Sequence, residues 1–71
     1  MKTVFDDQWK YWIWYNIVER KCSKESIFEI LLNNDFDPIL IKKELDYTPC
    51  TESVIELYNS KIEYSENKLN L

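Results

Sequence analysis

The stretch SKESIFEILLNNDFDPILIKKEL, Ser23 to Leu45, decides the fold. Ile27, Ile30 and Leu31 recur at helical spacing, and Phe28 with Leu32 widens the same apolar stripe. Ser23 stands where a helix cap belongs, with Glu25 close behind it. The helix should stop at Asn33-Asn34, because asparagine tolerates the left-handed backbone that glycine usually supplies at a helix end, and this chain has no glycine. Asp37-Pro38 then restarts the chain as a cap followed by proline at the first helical position, leading through ILIKKEL to Leu45.

Working outward, Tyr47-Thr48-Pro49 ends this second helix, since the residue before proline avoids helical backbone. Thr48 or Thr51 can cap a last helix whose apolar face is Val54, Ile55, Tyr58 and Ile62, with Leu57 beside it. Upstream, Asp6 or Asp7 can cap a helix reaching Arg20, with acids at its positive end and Arg20-Lys21 at its negative end. No alternating strand pattern bounded by hairpin turns occurs. The expected architecture is all-α, a small four-helix bundle with helices at about 6–20, 23–34, 38–46 and 51–66. Residues 1–71 should form one small helical domain, frayed over about 67–71, although Leu69 could extend the last stripe.

The first helix carries an unusual load. WKYWIWYNIVERK, Trp9 to Lys21, holds three tryptophans and two tyrosines in seven consecutive residues. On a wheel of about 100° per residue, Trp9, Trp12, Ile13 and Ile17 share one side, and Tyr11, Trp14, Tyr15 and Val18 share the other. The polar positions are Lys10, Asn16, Glu19 and Arg20. One core requires one stripe. A second stripe implies a central helix, a partner, or a membrane surface, and a membrane helix would carry more lysine and arginine than this one does. A protein partner or a second copy of the chain is the expected occupant of Tyr11, Trp14, Tyr15 and Val18, since large aromatics favour interfaces.

Composition removes most chemistry. With no histidine and no glycine the chain lacks the commonest general base, a leading metal ligand, and the residue that phosphate loops and nucleophile elbows depend on. Pairs such as Asp6-Asp7, Glu25/Glu29 and Glu52/Glu56 read as solvated charge and helix capping, because a di-iron bundle needs Glu-x-x-His and a calcium loop needs a glycine-bearing turn. Cys22 and Cys50 lack CxxC spacing and an activating base, so they are expected as free, partly buried thiols. No enzyme activity, cofactor, metal or small-molecule substrate is expected.

Thirteen acidic against nine basic residues give a net charge of −4, which repels nucleic acid and anionic membranes. Arg20-Lys21 with Lys24, and Lys42-Lys43, each have acidic neighbours, so nucleic-acid contact is not expected. No segment approaches the roughly 18 apolar residues of a membrane span. The amino terminus MKTVFDDQW lacks the apolar run of a signal peptide, so a cytoplasmic chain with reduced cysteines is expected.

Two resemblances attach to these residues. The run SIFEILLNNDFDPILIKKEL resembles the first helix pair of ubiquitin-associated domains, with Phe36 as the aromatic in the turn, and implies shape alone. It also has the form of a DNA-binding helix-turn-helix, but Lys42 and Lys43 stand among Asp35, Asp37, Glu44 and Asp46, which is poor phosphate-facing chemistry. Trp9-x-x-Trp12-Ile13-x-x-Asn16, Cys22-Ser23, Ile30-Leu31, Phe36, Ile41 and Pro49 are together similar to short helical segments ahead of catalytic domains in some bacterial and phage iron/2-oxoglutarate oxygenases. That resemblance implies an accessory docking or assembly module. It departs at Asp35, where glycine is expected, and no histidine-based iron site exists to carry over.

The expected function is therefore a small, non-catalytic interaction module or adaptor that docks through its aromatic helix on itself or on a protein partner. The alternative is an acidic inhibitor or modulator of phage type, whose Asp35, Asp37, Glu44 and Asp46 occupy a basic site on a host protein.

Overall fold

A computed structural model describes the backbone of residues 1–69 and the side chains of residues 1–63. Among the described residues the chain is four helices with no strand: α1 (Asp7–Trp14), α2 (Lys24–Asn33), α3 (Pro38–Leu45) and α4 (Glu52–Leu69). The predicted first helix does not stay α-helical to Arg20. From Tyr15 to Glu19 it widens into a π turn, closed by the Arg20 amide donating to the Tyr15 carbonyl at 3.0 Å.

The predicted caps account for three helix starts. Asp6 accepts from the Trp9 amide at 2.8 Å, Ser23 from the Ser26 amide at 3.1 Å, and Asp37 from the Ile39 amide at 3.1 Å with Pro38 behind it. The ends follow a different rule from the one expected. Asn34 closes α2 at φ −95°, so the asparagines do not take the left-handed turn. Asp35 does, at φ 66°, as do Lys21 at φ 57° and Asp46 at φ 47°. A chain without glycine must place a Cβ in that region at every such reversal, at about 1 kcal/mol or more each.

The core lies around α2, which contacts α3, α4 and the π turn. Ile27, Phe28, Leu31 and Leu32 are fully enclosed and meet Ile41 and Leu45 of α3 and Val54 of α4, while Ile13 reaches the same cluster from α1. Phe28 lies 5.8 Å from Tyr58 and 6.4 Å from Tyr47, ring centroid to centroid. Ile30 corrects the predicted stripe: it is 40 % exposed, because Ile27, Phe28, Leu31 and Leu32 already fill the buried arc.

The amino terminus adds something the helical periodicity did not contain. The Lys2 amide donates to the Asp35 carbonyl at 2.7 Å and the Asp37 amide donates to the Lys2 carbonyl at 2.8 Å, a single rung of parallel pairing. This clasp seats Phe5, 4 % exposed, against Phe36 at 4.5 Å. Trp9 meets Phe36 edge to face at 5.0 Å and 80°, and the Lys2 ammonium sits 4.8 Å above the same ring. At the other end, α4 continues as helix to Leu69 rather than stopping near residue 66. The expected fraying over 67–71 and the suggested role of Leu69 concern side chains and, for residues 70–71, backbone that lie outside the described residues.

Candidate functional site: an outward aromatic face on the first helix

The inward stripe of α1 and its π turn is occupied. Ile13 is buried, and Trp9, Trp12 and Ile17 are half-buried against the core, with Trp9 and Trp12 edge to face at 5.5 Å. Asn16 corrects the sequence reading, since it lies buried at 5 % exposure instead of on the polar face. Its amide donates to the Trp12 carbonyl at 2.8 Å, and its oxygen accepts from Arg20 at 3.1 Å. Its backbone carbonyl takes the Cys22 amide at 2.9 Å. An asparagine thus serves backbone and guanidinium groups at the turn where regular helical bonding ends. Its spacing of seven from Trp9 already put it on the inward arc.

The opposite stripe is open. Tyr11 is 63 % exposed, Trp14 47 %, Tyr15 42 % and Val18 50 %. Tyr11 stacks on Tyr15 at 6.0 Å and leans on Trp14 at 6.0 Å, so the three rings form one continuous surface. Contiguous apolar area of this kind is uncommon on a soluble monomer unless something covers it.

The four acids are dispersed along α3. Asp35 and Asp37 stand at its start and Glu44 and Asp46 at its end, about 12 Å apart by helical rise. Asp35 faces the chain's amino group at 3.7 Å and Lys61 at 3.8 Å, Asp37 holds the cap, and Asp46 turns the chain in the left-handed conformation. Beside the far pair, Ile39, Lys42, Lys43, Asp46, Tyr47 and Thr48 line a shallow cleft of about 480 Å³.

Glu25 was expected as solvated charge, and it is instead a tie between distant segments. Its carboxylate accepts from the Tyr47 hydroxyl at 2.5 Å, the Cys50 amide at 2.9 Å and the Thr51 amide at 3.0 Å. Partial burial opposes its charged form, but the hydrogen bonds from Tyr47, Cys50 and Thr51 outweigh this and hold the carboxyl down at about 2. Its bonds to Glu25 first, and then to the Cys50 thiol, push the Tyr47 hydroxyl above its ordinary range. Next to it, Lys24 donates to the Leu45 carbonyl at 2.9 Å, so the first turn of α2 secures both ends of the α3–α4 connection. This network joins protein groups to one another across the α2 start and the α3–α4 connection.

Cys22 and Cys50 are both free thiols, and Cys50 is exposed instead of partly buried. Among the described residues no group of three or more acidic or thiol side chains converges, and no helix is long and apolar enough to cross a membrane. Comparison of the chain with known protein families, with curated proteins and with solved structures found no match.

Proposed function

We propose that this chain is a small non-catalytic helical module, or adaptor, that docks through Tyr11, Trp14, Tyr15 and Val18 on a protein partner or on itself. The observation that carries the proposal is the continuous ring surface of Tyr11, Trp14 and Tyr15 on a helix whose other stripe is already engaged with the core. Rings of this kind bring large contact area at low conformational cost, and the tyrosine hydroxyls and the indole N–H serve a wet rim. Two free thiols fit a reducing, cytoplasmic setting.

The alternative, an acidic modulator of phage type acting on a basic host site, draws less support from the geometry. Asp35 is ion-paired and Asp37 is engaged as a cap, which leaves Glu44 and Asp46 as a small acidic edge beside Lys42 and Lys43. Salt separates the two. Docking through rings persists above physiological ionic strength, whereas acidic mimicry weakens steeply as charges are screened. The direct test is Trp14→Ala with Tyr15→Ala: the variant should keep its helical circular dichroism and lose association. An unfolded variant would assign those rings to the core and remove the proposal.

A further inference from the structure

We infer that the turn at Phe36 is a recognition site for an extended segment of the pattern Lys-x-x-Phe, filled in this structure by the chain's own residues 2–5 and open to the same pattern in trans once those residues are withdrawn. The site is separate from the outward rings of α1, whose ring contacts are with one another. Its backbone half is the Asp35 carbonyl and the Asp37 amide, which meet the amide and the carbonyl of Lys2 at 2.7 and 2.8 Å. That is the bonding of an added strand, offered by a turn between two helices. A helical partner has no free amide and carbonyl on one residue to give, which restricts the occupant to extended backbone.

Phe36 supplies the side-chain half. Its ring receives Phe5 at 4.5 Å and the Lys2 ammonium at 4.8 Å, and Trp9 gives the same ammonium a second ring at 5.7 Å. A cation and an aromatic ring three residues apart are thus read together, the cation by two rings and the ring by burial to 4 % exposure. The net charge of −4 favours the cation as well. The two residues between them are exposed, Val4 at 72 %, so the pattern is set by its ends. Every one of these contacts belongs to an extended tetrapeptide and none to its covalent junction with α1. A separate peptide therefore offers the same groups.

The test uses the full chain carrying Lys2→Pro with Phe5→Ala, which removes the strap's amide donor, its ammonium and its ring. The probe is the capped peptide acetyl-Lys-Thr-Val-Phe-amide, with acetyl-Ala-Thr-Val-Phe-amide and acetyl-Lys-Thr-Val-Ala-amide as controls. A tetrapeptide of this kind should bind with a Kd of about 1 mM. The probe at about 10 mM should then shift the ratio of folded to unfolded chain about tenfold and raise the melting temperature by about 5–10 °C. Where the variant is unfolded on its own, the readout is recovery of helical circular dichroism on adding the probe. Either response, weakened at least about threefold with each control, supports the site. No response at that concentration, or an equal response to the controls, overturns it and leaves the outward rings to be judged by their own test.

Discussion

Two aromatic groups lie on opposite sides of the first helix and have opposite fates. Trp9 belongs to the inward group, edge-on to Phe36, which is itself covered by Phe5 and by the Lys2 ammonium. Tyr11, Trp14 and Tyr15 form the outward group, in ring contact with one another and exposed. Residue type does not distinguish them, since each contains an indole. The inward rings are captured by a turn and a terminal strap that arrive from elsewhere in the chain, and among the described residues no ring contact joins the outward rings to a segment outside this helix. In a 71-residue bundle the supply of covering segments, more than the supply of apolar side chains, limits how much aromatic surface can be enclosed.

The inward group can be broken most severely at Phe36. Phe36→Ala should remove about 3–5 kcal/mol by leaving a cavity under Phe5 and Trp9, against a total of about 4–10 kcal/mol for a domain this size, so urea denaturation should show a transition moved to much lower urea. A loss below about 1 kcal/mol would show that the strap and turn do not need the ring.

Glu25 sharpens the comparison at a second site, because it too gathers segments that the local pattern keeps apart. Glu25→Gln should destabilise by about 1–3 kcal/mol, since the amide accepts fewer and weaker bonds from Tyr47 and the Cys50 and Thr51 amides. The acid limb gives an independent readout. A carboxyl held at about 2 in the fold and near 4.5 when unfolded contributes stability that is complete above 4.5 and is lost as pH falls toward 2. The wild-type chain should weaken across that window, and the Gln variant should follow a flatter curve in thermal melts at successive pH values.

The smallest effect runs in the other direction. Lys21 holds φ 57° without glycine's freedom or the local hydrogen bonding of an aspartate, so Lys21→Gly should stabilise by about 0.5–1 kcal/mol, seen as a higher melting temperature. No gain, or a loss, would mean that the lysine side chain contributes more at this position than its backbone strain costs.

The helices were legible because their signals are local: Asp6, Ser23 and Asp37 as caps, Pro38 at a first turn, and the period of Ile27, Phe28, Leu31 and Leu32. The division of the first helix into two stripes was legible for the same reason. Phe5 was not, because residues 1–5 carry no periodicity and gain their place through Asp35, Phe36 and Asp37, more than thirty positions later. Glu25 was unreadable on similar grounds, since its partners lie 22 to 26 residues away. The π turn left no mark in the hydrophobic spacing. Asn16, by contrast, could have been placed inward from its separation from Trp9 alone.

The central claim is that the outward rings are surplus to the fold. Urea unfolding of Trp14→Ala with Tyr15→Ala, followed by circular dichroism at a few micromolar so that pairing adds nothing to apparent stability, tests it most directly. The account predicts a cooperative helical transition displaced by less than about 1 kcal/mol from wild type. A loss of 3 kcal/mol or more, about the cost of emptying a core site, would contradict it.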